Sequence, residues 1–331
     1  MNDELSQNII QCYKDILKRE PDKEGFQHFL KEIISEKITI DDLKIIFENS
    51  DEFKKLKIME KTDQIPTKTK DNLIMYLSPT DRNISYLIFV NKEWEPFETL
   101  ILKYFLQKNS IYIDIGANIG YFSLIVGSIA KNGKVLSFEP DAENFKLLEK
   151  NISTNNLTNI QTFQHAVSDT NGFVNLFSSD ANKGNPRFFK EDLEGYMEQC
   201  QSSESVKCVT LDNFLDDLIK PNIIKMDIQG GEMLALKGMK NIIQKSNELI
   251  LFTEFWPEAI TLNKESPAEF LQLLQDLDFE IYDIDINKNK LIKKSNTQLL
   301  EDYPIGKYMA QTNLLCLKNT SLPTPLSHLL I

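Results

Sequence analysis

The chain has 331 residues, enough for one large or two ordinary domains, and 41% of them are hydrophobic, which suffices for a full core. The formal net charge of −12 argues against binding to nucleic acid or to an anionic membrane surface, because those partners attract basic protein faces. The sequence also shows neither an apolar run long enough to span a membrane nor a secretory leader, so we expect a cytoplasmic protein with no membrane span.

Residues 1–58 are expected to form a small, all-helical N-terminal domain. Apolar side chains recur there at helical spacing, Pro21 ends the first helix, and Thr39 with Asp42 has the spacing of a capping box that opens a third helix. Residues 59–92 begin with a polar, proline-containing stretch and are expected to hold a linker and strands that precede the main domain.

Residues 93–331 form the predicted main domain, in which apolar runs alternate with helical stretches. This alternation is typical of an α/β fold with parallel strands and crossover helices. Strands are predicted near 111–115, 134–138, 160–164, 222–227, 248–254, 279–284 and 312–318. The last two form a strand pair, which suits an open sheet that ends in an antiparallel hairpin. Ligands of such sheets bind beyond the carboxyl ends of the strands.

The stretch that follows the first of these strands is a glycine turn. A dinucleotide-binding turn has the pattern G-x-G-x-x-G, but the later two positions counted from Gly116 are Asn118 and Tyr121, which argues against a nicotinamide-dependent oxidoreductase. The lysine of a triphosphate-binding P-loop is missing too. Asp114, at the strand end, would repel a phosphate and attract a cation. S-adenosylmethionine, which has a ribose, a flat base, no phosphate and a positive end, suits this turn.

A second acid, Glu139, ends the next strand, where a doubly wound fold places the carboxylate that accepts hydrogen bonds from ribose hydroxyls. Either Asp114 or Glu139 alone could be a solvated charge. Two acids on adjacent strands beside a glycine turn favour a nucleoside site.

The ordered series of motifs now resembles a known family. D114-I-G-A-N-I-G-Y-F122, V135-L-S-F-E-P140, H165-A-V-S168 and I224-K-M-D-I-Q-G-G-E232 are similar to those of the FkbM family of S-adenosylmethionine-dependent methyltransferases. The resemblance runs from about Trp94 to Leu317. It implies a class I, Rossmann-like fold, with a mostly parallel seven-stranded sheet, helices on both faces and the final strand inserted antiparallel. It also implies O-methylation of a sugar or polyketide hydroxyl group.

The resemblance assigns the cofactor residue by residue. The methionine end is assigned to Asp114, Gly116, Ala117, Asn118 and Gly120. The ribose is assigned to Glu139 and Pro140, and the adenine to Ala166 and Val167. His165, directly before this last pair, is expected to be a satisfied structural histidine.

Candidate catalytic residues surround the turn after the fourth predicted strand. A base near the acceptor should help, because a sugar hydroxyl group is a poor nucleophile. The candidates are Lys225, Asp227, Glu232 and, from the fifth strand, Glu254, with Glu95 weaker. The family usually has an acid where this chain has Gln229, which cannot take a proton. The base is therefore one of the other acids, or the enzyme relies on positioning alone, or its activity is reduced.

Three alternatives for this region remain open. Lys225 and Asp227 could be a buried pair held only for structure. Asp227 and Glu254 could bind Mg²⁺, although nothing in the spacing demands a metal, and the four scattered cysteines predict no zinc site. The long polar stretch 178–208 could be a lid whose aromatic and basic side chains contact a sugar or its phosphate, or a solvated loop.

The N-terminal segment carries a second resemblance. R19-x-P-D-x-x-G-x-x-x-F29 and S50-D-E-F53 are similar to a small helical domain of unknown function that is often fused to bacterial glycan-modifying enzymes. It could bind a protein partner in glycan assembly. The leading hypothesis is an O-methyltransferase with a small-molecule or glycan acceptor. An N-methyltransferase that acts on an amine or peptide and a weakly active binding module are the alternatives.

Overall fold

The protein is described by a computed structural model that covers residues 2–19, 21, 23–59, 62–178, 187–189, 202–216, 219–307 and 310–330. The predicted lid at 178–208 falls largely outside these ranges and stays a prediction. None of the helices within them is long and apolar enough to cross a membrane.

The N-terminal segment folds into helices, as the sequence predicts. They are α1 (Asn2–Cys12), which continues into a π-helical turn at Tyr13–Leu17, α2 (Lys23–Ile34), α3 (Ile40–Asn49) and α4 (Asp51–Met59). The capping box is present, since the hydroxyl of Thr39 accepts from the N–H of Asp42 and the carboxylate of Asp42 accepts from the N–H of Thr39. Phe47 centres the unit, with its ring centroid 4.6 Å from that of Tyr13 and 5.3 Å from that of Phe29.

Two strands and two helices connect this unit to the main sheet. They are β1 (Ile65–Lys68), β2 (Ile74–Leu77), α5 (Ile84–Asn91) and α6 (Pro96–Phe105). The strands pair antiparallel. Asn151 then fixes them to the main domain, because its side-chain amide accepts from the N–H of Tyr76 at 2.6 Å and donates to the carbonyl of Ile119 at 2.8 Å.

The main domain continues the alternation of strands and helices. Its strands are β3 (Ile111–Ile115), β4 (Lys134–Phe138), β5 (Ile160–Phe163), β6 (Ala166–Val167), β7 (Gly172–Ser178), β8 (Arg187–Phe189), β9 (Ser202–Val209), β10 (Ile223–Met226), β11 (Leu249–Phe255), β12 (Glu280–Asp285), β13 (Lys290–Lys293) and β14 (Thr312–Lys318). Its helices are α7 (Tyr121–Ile129), α8 (Ala142–Thr154), α9 (Leu211–Phe214), α10 (Glu232–Gly238), α11 (Lys240–Lys245), α12 (Pro257–Leu262), α13 (Pro267–Asp276) and α14 (Asn296–Asp302). A 3₁₀ helix, Thr324–Leu329, follows the last strand.

The main sheet has the order β13-β12-β14-β11-β10-β3-β4-β5. The strands from β11 to β5 in this order are parallel, and β14 is inserted antiparallel between β11 and β12. The predicted α/β class I methyltransferase fold is thereby confirmed. The sheet has eight strands rather than the expected seven, because β12 turns back into the hairpin strand β13.

Both faces of the main sheet are covered. Alternate residues of each strand point to opposite faces, so Tyr112 and Val135 join one core with Leu124 of α7, whereas Ile113 and Leu136 join another with Phe270 of α13. The first core continues into the N-terminal helices. A smaller sheet, of order β6-β9-β7-β8, is separate from the main one.

Candidate active site

The turn after β3 has left-handed backbone at Gly116 (φ +82°), Asn118 (φ +50°) and Gly120 (φ +93°). The N–H groups of Gly116 and Ala117 both donate to the carbonyl of Phe138 at 2.9 Å, so the turn lies over the end of β4. A Cβ atom on Gly116 would lie 2.1 Å from the carbonyl oxygen of Asp227. The two turns that the sequence assigns to cofactor and acceptor therefore contact each other directly.

Glu139 connects this turn to the second strand end. One oxygen of its buried carboxylate accepts from the N–H of Asn118 at 2.8 Å, and the other accepts from the N–H of Asp141 at 2.9 Å. Burial raises the pKa of Glu139 to about 8. A ligand that donates hydrogen bonds to this carboxylate would favour its charged form.

A pocket opens at this edge of the sheet, and its empty space of about 440 Å³ includes open solvent. Its walls include residues that the sequence assigns to the cofactor, namely Gly116, Asn118, Glu139, Pro140, Ala166 and Val167. His165, Leu176 and Asp227 complete the lining together with Ile115 and Ile228. The pocket therefore joins the predicted ribose and adenine sides to the fourth-strand turn.

The remaining residues assigned to the cofactor lie behind this wall. Asp114 is buried and accepts a hydrogen bond from the hydroxyl of Ser123, and burial raises its pKa to about 6. Ala117 is buried, and a Cβ on Gly120 would lie 2.6 Å from a methyl carbon of Leu148. Their positions support the turn from within, and their contact with the cofactor stays a prediction.

His165 provides a test of whether the pocket fits the cofactor. The sequence predicts a satisfied structural histidine, but both ring nitrogens are buried and lack a hydrogen-bond partner in the described part of the chain. Burial, with Lys207 nearby, lowers the pKa of His165 and favours the neutral ring. An unpartnered neutral imidazole beside Ala166 and Val167 is suited to a flat heterocycle with its own donors and acceptors, such as adenine. The lining therefore fits S-adenosylmethionine.

Lys225, on β10, is the centre of a buried charge network. Its Nζ lies 3.3 Å from Asp227 Oδ2, 3.4 Å from Glu98 Oε1 and 3.9 Å from Glu95 Oε2, and only 6% of its side chain is exposed. Burial alone would lower the pKa of Lys225, but Glu98, Asp227 and Glu95 outweigh that effect and hold it well above its ordinary value. The lysine therefore stays charged and neutralises part of the network.

Two side-chain amides complete the network. Asn313 Nδ2 donates to Glu98 at 2.6 Å and to Glu95 at 3.1 Å. Gln229 Nε2 donates to Asp227 at 3.1 Å and to both oxygens of Glu254 at 3.1 and 3.2 Å. We call these residues the acid–amide cluster: Glu95, Glu98, Lys225, Asp227, Gln229, Glu254 and Asn313.

The cluster holds more carboxyl groups than one lysine can neutralise. Burial and the charge of Glu98 raise the pKa of Glu95 to about 8. Burial, followed by Asp227 and Glu232, raises the pKa of Glu254 well above its ordinary value. Burial therefore disfavours the charged form of Glu254.

Glu232, at the start of α10, has a different position from the other candidate acids. It is fully buried, and its two carboxylate oxygens accept from the N–H groups of Ile228 at 2.9 Å and Gly230 at 2.8 Å. Burial raises its pKa to about 7. Because backbone donors engage both oxygens, the geometry gives Glu232 the role of bracing the turn, and a direct part in proton transfer stays a prediction.

Sequence reasoning missed two members of the cluster. Glu98 lies among the buried apolar residues of α6, and an acid on such a helix face could have indicated a partner inside the protein. Asn313 carries no comparable local signal. Among the residues that the structure describes, no group of three or more His, Cys, Asp or Glu side chains is placed to hold a metal ion.

Two family models match separate parts of this chain. The model of the methyltransferase FkbM domain matches residues 114–281, about half of the chain, and the domain of unknown function DUF4214 matches residues 4–57. The chain is 26% identical over 147 residues to the hexuronic acid methyltransferase AglP of Haloferax volcanii, covering 44% of this chain and 56% of that protein.

Two further methyltransferases are similar to this chain. Methyltransferase 1 of Beauveria bassiana is 25% identical over 146 residues, covering 40% of this chain and 59% of that protein. The crystal structure of methyltransferase FkbM from Methylobacillus flagellatus shares 15% identity at a TM-score of 0.39, covering 82% of this chain and 59% of that one. The chain thus spans less than two thirds of these relatives. With its family model matched over residues 114–281, which carry the glycine turn and the turn after β10, the chain belongs to the FkbM family of methyltransferases, whose cofactor is S-adenosylmethionine.

Proposed function

We propose that the protein is an O-methyltransferase that methylates a hydroxyl group of a sugar, a glycan precursor or a secondary metabolite. The observation that carries this proposal is the position of Asp227. Its carboxylate lines the cofactor pocket, belongs to the acid–amide cluster and keeps 24% of its side chain exposed. The relative named hexuronic acid methyltransferase supports a sugar acceptor.

The pocket residues would orient the cofactor. Glu139 would accept from the ribose hydroxyls, Ala166 and Val167 would lie along the adenine, and the turn from Gly116 to Asn118 would hold the methionine end. When bound, S-adenosylmethionine supplies a methyl group that its sulfonium charge activates. The contribution of the chain is alignment, because holding the acceptor oxygen in line with the methyl carbon and sulfur accounts for much of the acceleration of such a displacement.

Asp227 is the proposed base. As the acceptor oxygen forms its bond to the methyl carbon, the carboxylate would take the hydroxyl proton and later release it to solvent through its exposed edge. Lys225 lies 3.3 Å from the other side of this carboxylate and holds it in place. Glu254 is buried and is not among the residues that line the pocket, so it is less suited to contact the acceptor.

N-methylation is the second candidate function. The acid–amide cluster has four carboxyl groups, Glu95, Glu98, Asp227 and Glu254, around the one cation Lys225 in the part of the chain that the structure describes. Such an excess of acid would attract an amino group. An amino sugar is therefore included in the test.

The proposal predicts a large loss of turnover in Asp227→Asn. We would follow methyl transfer from isotopically labelled S-adenosylmethionine to nucleotide-linked neutral, amino and uronic sugars, and measure the affinity for S-adenosylhomocysteine calorimetrically. Loss of a general base should lower kcat about 10²- to 10⁴-fold. The affinity should change little, because Asp227 forms only one side of the cofactor pocket.

The control is Asp285→Asn, a strand-end acid whose hydrogen bonds, within the described part of the chain, are to Asn287 and Lys288 of its own turn. It should leave turnover unchanged. Full turnover in Asp227→Asn would refute the assignment of the base, and failure of the wild-type protein to bind S-adenosylhomocysteine would refute the proposed cofactor site. Transfer to the amino sugar alone would favour N-methylation.

A further inference from the structure

We propose that Gln229 is a positioning residue for methyl transfer: its side-chain amide links Asp227 to Glu254 and thereby holds the base at the edge of the cofactor pocket. The inference rests on the proposed function, since it takes Asp227 to be the base.

The backbone of the turn directs this side chain inward. Gln229 has a φ of +56°, a conformation that few residues other than glycine, asparagine and aspartate adopt, and Gly230 follows with a φ of +108°. A Cβ on Gly230 would lie 2.7 Å from the carbonyl oxygen of Ala259, so the chain is closely packed there. Glu232 accepts hydrogen bonds from two N–H groups of the same turn. Such a strained conformation persists only where the surroundings hold it.

The donor count of the amide fits its two partners. A side-chain amide nitrogen carries two hydrogens. One can go to Asp227 Oδ1 at 3.1 Å and the other to the carboxyl group of Glu254 at 3.1 to 3.2 Å, while the glutamine itself is only 9% exposed. Lys225 holds the opposite oxygen of Asp227 at 3.3 Å. The carboxylate is thus fixed from two sides, and its remaining acceptor positions can face the pocket that it lines.

The neutral charge of the amide matters as much as its reach. Other titratable groups face Asp227 and Glu254 from the neighbouring elements. They are Lys225 on β10, Glu95 directly before α6, Glu98 on α6, Asp114 on β3, and Glu232 on α10. A carboxyl group at position 229 would add a further acid beside a single cation. An amide supplies two donors and no charge, so it can hold both carboxyl groups without adding a further acid.

Two substitutions separate reach from charge. Gln229→Asn keeps an amide and suits the positive φ, but its side chain is one methylene shorter and cannot reach both carboxyl groups. Gln229→Glu keeps the length and replaces the donors by an acid. The matched control is Gln272→Asn on α13, where an exposed glutamine amide donates to Asp276 at 2.9 Å far from the cluster.

The first measurement needs no acceptor. The ¹³C chemical shift of the Asp227 carboxyl group, identified by its disappearance in Asp227→Asn, is recorded at one neutral pH in the protein without cofactor. This chemical shift responds to hydrogen bonding, so loss of the amide contact in Gln229→Asn should displace it. Gln229→Glu should displace it as well, because an acid replaces the amide donors.

The second measurement is the pH profile of kcat with whichever of the nucleotide-linked sugars is methylated. The acid limb should move upward in both Gln229 variants and stay in place in Gln272→Asn, whereas the affinity for S-adenosylhomocysteine should be retained. A purely structural role would lower activity without moving this limb.

An unchanged ¹³C chemical shift of the Asp227 carboxyl group in both Gln229 variants would overturn the inference. If thermal melting shows either variant to be unfolded, Gln229→Gly, which tolerates the positive φ and lacks the amide, replaces it with the same expected shift. Full turnover in Asp227→Asn would instead refute the base itself. An inactive Asp227→Asn together with wild-type behaviour in Gln229→Asn would leave the proposed function standing and remove only the role of Gln229.

Discussion

Gly116→Ala should damage both stability and the site, and Gly306→Ala provides a matched control. The two glycines have nearly the same backbone conformation, with φ of +82° and +79°. They differ in surroundings. A Cβ on Gly116 would lie 2.1 Å from the carbonyl oxygen of Asp227 and 2.9 Å from Cγ2 of Ile228, whereas a Cβ on Gly306 would have no atom of the described residues within 4 Å apart from its chain neighbours.

The two substitutions share the cost of a left-handed alanine, about 1–2 kcal/mol, which the smaller conformational entropy of the unfolded alanine chain partly offsets. Only Gly116→Ala adds overpacking, which costs about 1–3 kcal/mol when the obstructing atoms are backbone and cannot rotate away. We therefore expect a net loss of about 1 kcal/mol for Gly306→Ala and about 2–4 kcal/mol for Gly116→Ala.

Urea unfolding monitored by circular dichroism measures both losses, provided that the dependence on denaturant is unchanged. Because the displaced carbonyl belongs to Asp227, Gly116→Ala should also lower kcat and the affinity for S-adenosylhomocysteine, and Gly306→Ala should change neither. Equal losses of unfolding free energy in the two variants would show that the close approach of the two turns is not a constraint, and would refute this reasoning.

Two further predictions concern buried charges. Lys225→Met leaves Glu98 and Asp227 without their cation, so urea unfolding near neutral pH should show a loss of about 3–5 kcal/mol in the free energy of unfolding. This loss should become smaller in acid, where buried carboxyl groups are protonated. The same loss at every pH would contradict the prediction. Binding of S-adenosylhomocysteine should release a proton below about pH 8, because burial raises the pKa of Glu139 to about 8 and ribose hydroxyls would favour its charged form. Calorimetry in two buffers of different ionisation enthalpy measures this release, which should be absent from Glu139→Gln.

The sign of the Glu139 effect follows from linkage. Its pKa in the folded protein without cofactor lies above the ordinary value of 4.5, so between the two values the native state binds more protons than the unfolded state. The contribution of Glu139 to stability is therefore fully present at low pH and is lost as pH rises through about 8. Affinity for the cofactor should change in the opposite direction and increase with pH over this range.

The sequence predicts the buried strands of the main sheet well and the half-buried strands poorly. The predicted strands at 111–115 and 134–138 agree with β3 and β4, because a short continuous apolar run is typical of a parallel strand that is buried on both faces. In β7, Val174 and Leu176 are buried but Phe173 is 74% exposed. Buried and exposed residues therefore alternate over the first part of this strand, a pattern that a search for continuous apolar runs does not detect.

The contact of Asp114 with the cofactor stays a prediction, because a position at a strand end does not fix where the side chain points. Its place before the glycine turn predicts a contact with the cofactor, yet the side chain is buried and bonded to Ser123. In the parallel register it lies beside Ser137 on one neighbouring strand and Lys225 on the other. Residues paired across strands share a face, so the side chain points toward the helices that cover this face, and the turn itself forms the pocket wall.

The direction of β14 shows why Asn313 could not be found in the same way. Every parallel strand brings its last residues to the site, and inspection of the residues after each strand therefore finds Glu139, Asp227 and Glu254. The antiparallel β14 brings its first residues to that edge, where Asn313 pairs in register with Glu254. A search that reads each strand toward its carboxyl end misses this residue, and only the strand order relates it to Glu98, 215 positions earlier in the chain. The acid–amide cluster, where we propose that the acceptor binds, thus depends on the order and direction of the strands. The predicted cofactor turn instead lies in one contiguous motif.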